Sequence, residues 1–291
     1  MGANGSRATA DGPVLLGVVN AGSESFSGNA VATDGAADLA ERLVADGAGV
    51  LDVGAQSLRT DQDEIPEEVE IARLRPALEA ITARCPGVPI SLDAYRPGVL
   101  AAVVHLGVVI LNDTSGRMDA DTARIAAEAG LEVVVTYNPG PVKQRRPPGF
   151  RLDDPVGGCE AAIASRMEQL AGHGIPPERV VLDPGPDIYK PPDQTVELLR
   201  AVPDLRARLG VGRVLWAVSR KDFVGAVLGV KPAERGAGTL GALAALEVAD
   251  GDLVRVHDVR AAADFYRVRR AVERGLAPEA ALTDDLRYDR G

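Results

Sequence analysis

Polar side chains stand at the ends of short aliphatic runs along the whole sequence. They comprise carboxylates, cations, hydroxyls and amides: Asn20, Gln56, Ser57, Arg59, Asp93, Asn112, Asp113, Thr136, Asn138, Asp183, Ser219, Arg220, Lys221, Arg255, His257 and Asp258. Loops begin where strands end, so some polar residues are expected there in any protein. Their number and mixture exceed that expectation and predict that they share one active-site face.

Three of these residues are suited to binding an anion. Arg59, Arg255 and His257 would form a cationic corner for a phosphate or a diphosphate. Arginine offers a planar fork of donors to phosphate oxygens. The start of the helix expected after residue 257 would add free backbone N–H groups.

Three others are suited to binding a flat ring. Asp93, Asn112 and Asp183 offer acceptors and an amide edge. These match a heterocycle that carries an amino group and a ring N–H, such as a pterin or guanine. Beside the anion corner, this slot predicts a phosphorylated heterocyclic substrate.

The aliphatic runs that position these residues number eight. They are Val14–Asn20, Gly49–Gly54, Pro89–Asp93, Val108–Asn112, Glu132–Tyr137, Val180–Asp183, Val214–Ser219 and Leu253–His257. Segments with helical spacing lie between them, for example Ala36–Ala45, Glu67–Ala83, Asp121–Ala129, Gly158–Ala171, Thr195–Leu209 and Leu240–Ala249. Eight alternations in about 250 residues predict an α/β protein with a (β/α)8 TIM barrel. A doubly wound open sheet is the alternative, but no glycine-rich dinucleotide fingerprint follows the first run.

We expect a single barrel domain over residues 14–275, with polar tails at 1–13 and 276–291. No linker divides the chain. The longest irregular stretch is 139–153, which is rich in proline and glycine. It follows the fifth run, so it is either a solvated basic loop or a lid over the substrate.

Composition excludes several classes of protein. The net charge is −10, with 32 Lys+Arg against 42 Asp+Glu, which argues against a nucleic-acid partner. No apolar run approaches the ~20 residues of a membrane helix, so no membrane partner is expected. Cys85 and Cys159 provide neither a disulfide framework nor zinc spacing, and a cytoplasmic location is the expectation.

Seven motifs, in order, resemble the dihydropteroate synthase family, a group of pterin-binding TIM barrels. They are GVVNAGSESFSG (17–28), LDVGAQSLR (51–59), SLDAYRPGV (91–99), ILNDTSG (110–116), VLDPGPDIYK (181–190), AVSRKDFVG (217–225) and RVHDV (255–259). The family condenses 6-hydroxymethyl-7,8-dihydropterin diphosphate with p-aminobenzoate and uses Mg²⁺. The resemblance therefore implies a transferase of folate biosynthesis whose partners are a pterin diphosphate and an amine.

The resemblance also implies a role for each matching residue. Asp93, Asn112, Asp183 and Lys221 would line the pterin slot, and Asp93, Lys221 and Arg59 would be catalytic. The diphosphate would be bound by Arg59, Arg255 and His257. Asn20 would help to hold Mg²⁺. Family members commonly form homodimers, so a homodimer is expected.

Departures from the family concentrate on the p-aminobenzoate side, where Ser57, Ile188 and Asp222 would lie. Leu58 replaces a hydroxyl residue, and the residue after the Ser-Arg-Lys lysine is Asp222 rather than serine or a cation. That position receives the carboxylate of p-aminobenzoate in the family. Two negative charges ~4 Å apart cost about 1 kcal/mol in water and about 4 kcal/mol at an effective dielectric constant of 20. Asp222 would in addition cap the helix that follows, unless it points away from the site.

Three functions follow from an intact pterin half and an altered acceptor half. The first is a working dihydropteroate synthase with an unusual acceptor pocket. The second is a paralogue that uses the same pterin diphosphate with another amine, or releases diphosphate with none. The third is a non-catalytic pterin-binding protein. Retention of Asn20, Arg59, Asp93 and Lys221 together favours an enzyme.

Overall fold

The aliphatic runs form parallel strands that hydrogen-bond to one another in chain order and close into a barrel. The computed structural model describes residues 12–22, 30–56 and 63–276. The strands are β1 (Val14–Asn20), β2 (Val50–Gly54), β3 (Ile90–Asp93), β4 (Val108–Asp113), β5 (Glu132–Thr136), β6 (Val180–Asp183), β7 (Arg213–Trp216) and β8 (Leu253–Val256). β1 pairs with β8, which closes the sheet. The predicted (β/α)8 barrel is confirmed, and the open sheet is excluded.

Helices follow the strands and cover the outside of the barrel. The described part of the chain contains α1 (Ala30–Ala45), α2 (Glu67–Arg84), α3 (Pro97–Val103), α4 (Ala120–Glu128), α5 (Pro155–Gly172), α6 (Pro192–Leu209), α7 (Asp222–Leu228), α8 (Gly236–Ala245) and α9 (Val259–Arg274). Short 3-10 turns lie at Pro177–Arg179 and Pro232–Glu234. Two helices, α7 and α8, thus separate β7 from β8. A strict alternation of strands and helices would place only one helix there.

The structure moves some predicted boundaries. The helix predicted at Leu240–Ala249 begins earlier, at Gly236, and ends at Ala245, because Leu246 adopts an extended conformation. The strand predicted at Val214–Ser219 leaves the sheet after Trp216. Residues 217–219 are therefore part of the loop that turns toward the barrel mouth.

Alternation along the strands separates an apolar interior layer from a polar mouth. Inside the barrel, one layer consists of Leu16, Val50, Ile110, Val134, Val181, Leu215 and Leu253, one residue from each of seven strands. Side chains two residues further along a strand point to the same side. Those positions are Val18, Asp52, Asn112, Thr136, Asp183, Ala217 and Arg255. Five of these seven residues are polar, so the interior changes from apolar to mainly polar within one layer, toward the carboxyl ends of the strands.

The larger core lies between the sheet and the helices and contains Val19, Leu51, Leu92, Leu111, Val135, Leu182 and Val254 among its fully buried members. The helical faces that cover these residues explain why the strands read as continuous apolar runs. Among the described residues, no helix combines the length and apolarity needed to cross a bilayer. Most of the two predicted tails, residues 1–11 and 277–291, lies outside the described residues.

Candidate active site

A cavity of about 760 Å³ opens at the carboxyl ends of the strands. Nine of the predicted site residues line it: Asn20, Asp93, Asn112, Asp183, Ile188, Lys221, Asp222, Arg255 and His257. They come from β1, β3, β4, β6 and β8, from the loops after β6, β7 and β8, and from the first residue of α7. Ser57 and Arg59 lie outside the described residues, so their roles stay predictions.

The floor of the cavity is a polar network centred on Asp52, whose side chain is fully buried. Its carboxylate accepts from Ser91 Oγ at 2.6 Å and from Arg255 Nε at 2.5 Å. The amide of Asn112 donates to the same carboxylate at 3.3 Å. Arg255 also donates from Nη2 to Asp93 Oδ2 at 3.2 Å. Arg255 is therefore held between two carboxylates.

Asp93 stands at the edge of this floor with its side chain 16% exposed. Its other oxygen accepts from Thr114 Oγ1 at 3.3 Å. Burial, followed by the negative charge of Asp52, raises the pKa of Asp93, whereas Arg255 lowers it. One carboxylate thus faces the cavity with a charge that depends on its pairing with Arg255.

Asp183 and Asn112 provide the remaining polar groups of the predicted slot. Asp183 accepts from Gly185 N at 2.8 Å and from Thr136 Oγ1 at 3.1 Å, and burial raises its pKa. Asn112 is 1% exposed, and its Oδ1 has no hydrogen-bond partner among the described residues. A buried unpartnered oxygen is costly, so a ligand N–H at this point would restore a missing hydrogen bond.

A strained turn directs Lys221 into the cavity. Arg220 has a φ of 58°, which is uncommon for a residue other than glycine. The turn is held from both sides, because Arg220 N donates to Thr239 Oγ1 at 3.0 Å and Arg235 Nη1 donates to the carbonyl of Arg220 at 2.9 Å. Such strain persists where surrounding contacts fix it, and it is frequent at functional sites.

The outer wall beside Lys221 differs from expectation. Asp222 does not cap α7, because the helix has no side-chain cap hydrogen bond. Its carboxylate is 78% exposed and pairs with Arg235 Nη1 at 2.9 Å. The backbone N–H of Asp222 donates to Asp187 Oδ2, across from the loop after β6. Asp187 and Arg235, which the sequence does not single out, therefore determine the charge of this wall.

His257 lies at the mouth and is an exposed residue that lines the cavity. Its Nδ1 is 2.9 Å from Ser219 Oγ, and which of the two donates depends on the histidine tautomer. Loss of hydration, followed by the positive charges of Arg255, Arg220 and Lys221, lowers the pKa of His257 to about 4. The ring is thus neutral at pH 7 until an anion beside it favours protonation.

The described residues include no group of three or more His, Cys, Asp or Glu that could hold a metal. Asn20 offers one amide oxygen at the end of β1, and that oxygen accepts from Gly22 N at 2.9 Å. An amide oxygen retains a second lone pair. One protein oxygen at an open mouth fits Mg²⁺, which keeps several waters and is commonly shared with substrate phosphates. It does not fit a metal that needs a complete protein cage.

Lys190 fastens the loop after β6 to the end of β5. It is 3% exposed, and its Nζ donates to the carbonyls of Tyr137 at 3.0 Å and Ile188 at 2.9 Å. The ammonium also lies 4.6 Å from the centre of the Tyr137 ring. The hydrogen bond from Lys190 thereby fixes the backbone of Ile188, which lines the cavity.

Lys190 also predicts a pH dependence of stability. Burial lowers its pKa to about 7 from the ordinary value of 10.5. Between these values the unfolded chain binds more protons than the folded chain, so stability rises with pH. We expect the free energy of unfolding of the wild type, minus that of Lys190→Met, to increase between about pH 7 and 9 in urea denaturation. The exposed Lys231→Met should show no such trend, and a difference independent of pH would contradict the assignment.

Comparisons with known proteins agree with this geometry. The profile of the family described as pterin binding enzyme matches residues 16–257. A dihydropteroate synthase type-2 of Escherichia coli is 35% identical over 280 residues, which cover 94% of this chain and 97% of the relative. The crystal structure of Xanthomonas albilineans dihydropteroate synthase with 4-aminobenzoic acid superposes with a TM-score of 0.81 at 32% identity, covering 91% of this chain and 94% of that chain. A third relative, from Mycobacterium tuberculosis, is named inactive dihydropteroate synthase 2 and is 34% identical over 257 residues, 86% of this chain and 80% of the relative.

Proposed function

The chain belongs to the pterin-binding enzymes and, within them, to the dihydropteroate synthase family, and we propose that it transfers a dihydropterin methylene group from 6-hydroxymethyl-7,8-dihydropterin diphosphate to an amine. With p-aminobenzoate as the amine, this is the step of folate biosynthesis that forms dihydropteroate. The proposal rests most directly on one observation: Asp93, Asn112, Asp183 and Lys221 line a single cavity.

The pterin ring would be bound by the polar floor. Its amino and ring N–H groups would donate to the carboxylate of Asp183, and a further N–H would meet the unpartnered Oδ1 of Asn112. Lys221 would donate to an acceptor of the ring. Each of these residues is fixed by its strand or by the held turn at Arg220, so little ordering accompanies binding.

The reaction is a displacement at the exocyclic methylene. The C–O bond to diphosphate breaks and the diphosphate leaves with the electron pair, which leaves a positive charge conjugated with the pterin ring. Asp93 would stabilise this charge from the floor of the cavity. The amine nitrogen then forms the C–N bond and loses one proton. No protein nucleophile takes part.

The leaving diphosphate would lie at the mouth beside Arg255 and His257, and beside Arg59, whose placement lies outside the described residues. Arg255 is already paired with Asp52 and Asp93, so it would share its charge rather than provide it alone. We propose Mg²⁺ as the cofactor, held by Asn20 and by substrate oxygens. When bound, Mg²⁺ would neutralise negative charge on the diphosphate.

The role of Asn20 can be tested by calorimetry with inorganic diphosphate as the probe. For Asn20→Ala we expect roughly a tenfold rise in the Mg²⁺ concentration that half-saturates diphosphate binding, which corresponds to about 1.4 kcal/mol. Binding of diphosphate without Mg²⁺ should be unchanged. An equal Mg²⁺ requirement in both proteins would remove Asn20 from the metal site.

The function itself is tested with the purified full chain, the pterin diphosphate, Mg²⁺ and p-aminobenzoate. Dihydropteroate is followed by mass spectrometry and released diphosphate by a coupled assay. Formation of both at equal rates supports a synthase. Pterin binding without diphosphate release would overturn the synthase function and indicate a non-catalytic pterin-binding protein.

A paralogous transferase is the second candidate, and two observations favour it. One relative of similar identity is named inactive dihydropteroate synthase 2. The outer wall of the cavity carries Asp187 and Asp222 where an acceptor carboxylate would approach. Diphosphate release that depends on an amine other than p-aminobenzoate would distinguish this function from the first.

We further propose a homodimer and a cytoplasmic location. Several large apolar side chains on the last helices are exposed: Val227 at 77%, Leu228 at 48%, Val268 at 64% and Val272 at 81%. A second copy would cover them, and sedimentation velocity would detect it. Cys85 and Cys159 are buried free thiols, which supports a reducing compartment.

A further inference from the structure

The wall between the loop after β6 and the start of α7 lies beyond the polar floor in the same cavity. Pro186, Asp187, Ile188 and Tyr189 line one side of it, and Asp222 and Arg235 line the other. Under the proposed function, the pterin occupies the floor, so the second substrate approaches along this wall. The charges on the wall therefore select that substrate.

A carboxylate would bind here through the free N–H at the start of α7 or through Arg235. Both already have partners within the protein. The N–H of Asp222 already donates to Asp187 Oδ2. Arg235 is paired with Asp222 and donates in addition to the carbonyls of Arg220 at 2.9 Å and Val230 at 3.2 Å.

Asp187 is held in this position by its backbone. Its φ is 63°, a left-handed conformation that aspartate adopts more readily than most residues. Its N–H donates to Thr195 Oγ1 at 3.1 Å. The second carboxylate oxygen, Oδ1, is buried and has no hydrogen-bond partner among the described residues. The wall thus presents an acceptor that lacks a donor.

We propose that Asp187 determines the specificity of the acceptor side, and that the second substrate is an aromatic amine whose far end carries a hydrogen-bond donor without negative charge. An amide or a cationic amidine has this chemistry, and a carboxylate does not. Ile188, Tyr189 and Pro232 supply the apolar surface for the aromatic ring. Lys143, Arg220 and Lys221 also line the cavity and are the cations to which a carboxylate would have to bind instead.

Three amines that differ only at the far end test this: 4-aminobenzoate, 4-aminobenzamide and 4-aminobenzamidine. With the full-length wild type, Mg²⁺ and the pterin diphosphate, we expect kcat/KM for the amidine to exceed that for the benzoate by at least about fivefold, which is about 1 kcal/mol. The amide should lie between them. A smaller ratio, or a preference for the benzoate, would overturn the inference.

Two variants attribute the preference to Asp187. Asp187→Asn removes the charge and keeps the size, and Asp187→Gly accepts the left-handed conformation and frees the N–H of Asp222. Both should reduce the amidine-to-benzoate ratio at least threefold, and the glycine variant should do so by improving the benzoate. Asp204→Asn, an exposed change on α6, should leave the ratio unchanged. Ratios equal to wild type in both Asp187 variants would also overturn the inference.

Failure of the proposed function is distinguishable from failure of this inference. If no amine yields product and no diphosphate is released, the synthase function is wrong. The order of the three amines is then read from their dissociation constants with dihydropterin and inorganic diphosphate present. The same amidine-to-benzoate ratios, now taken from dissociation constants, support or overturn the role of Asp187.

Discussion

Asp93→Asn is expected to lower kcat/KM for diphosphate release by about 10²–10³-fold, the range found when one preorganised group that stabilises transition-state charge is removed. The substitution keeps the size and the hydrogen bond from Thr114, but removes the negative charge that, under the proposed function, would face the pterin methylene. Binding of a pterin without diphosphate should change much less, because Asp183 and Asn112 would still hold the ring under the proposed function. The loss should therefore appear in kcat rather than in pterin affinity.

The pH profile provides an independent test of the same residue. Burial and the charge of Asp52 raise the pKa of Asp93, so its carboxylate is lost on acidification at a higher pH than an exposed aspartate would show. The wild type should lose kcat/KM on the acid side as Asp93 is protonated. Asp93→Asn should lack this acid limb, and Asp204→Asn should retain it. An acid limb of equal height and position in Asp93→Asn would assign it to another group.

The polar mouth of the barrel can be predicted from the sequence because it follows from two regularities. Aliphatic runs locate the strands, and parallel strands bring their carboxyl ends to one face. Asp93, Asn112, Asp183, Arg255 and His257 lie at or next to such ends, and the structure brings all of them to one cavity.

Asp52 and Ser91 are missed when only the strand ends are considered, because each lies two residues before the end of its strand. The signal is nevertheless in the sequence. Asp52 lies two residues after Val50, and Ser91 lies two residues before Asp93. Side chains two residues apart on a strand point to the same face, so Asp52 and Ser91 must both point into the barrel. A carboxylate buried there needs a cation from another strand. Arg255 lies two residues after the inward-pointing Leu253, so it also points into the barrel.

The acceptor wall is harder to predict. The contact of Asp187 with the N–H of Asp222 joins the loop after β6 to the start of α7, 35 positions further along the chain, and the backbone of Asp187 is left-handed there. Arg235 reaches Asp222 only because a 3-10 turn at Pro232–Glu234 returns the chain toward α7. Neither the residue types nor their spacing indicates these turns. The sequence predicts that Asp222 alone repels the carboxylate of an acceptor. That prediction is incomplete, because Arg235 neutralises Asp222 and Asp187 provides the negative charge instead.

The floor and the wall serve different purposes in the same cavity. In the floor, Arg255 pairs with both Asp52 and Asp93, and Asp93 is the one of these two carboxylates that lines the cavity. In the wall, Arg235 pairs with Asp222, and under our proposal Asp187 is the carboxylate that acts on the acceptor.

Arg255→Met is expected to lower the free energy of unfolding by about 3–5 kcal/mol, the cost of leaving a buried charge without its partner. Asp52 is fully buried and would retain only the neutral donors Ser91 and Asn112. At a slope of about 3 kcal/mol per M urea, the unfolding midpoint should fall by about 1–2 M. Arg124→Ala, which removes an exposed pair with Glu128 on α4, should change stability by less than about 1 kcal/mol.

The double variant Asp52→Leu with Arg255→Met distinguishes lost pairing from lost packing. If the unpaired charge causes the loss, the double variant should regain most of the stability, because well-packed apolar residues can replace a buried ion pair at little cost. A double variant as unstable as the sum of the two single changes would contradict this.

In Arg255→Lys, which keeps the charge without the fork, Asp93 should keep a pKa closer to that of the wild type than in Arg255→Met. The acid limb of the pH profile should then move to higher pH in the methionine variant, because Arg255 lowers the pKa of Asp93. This shift would link the stability of the floor to the charge of Asp93, which lines the cavity.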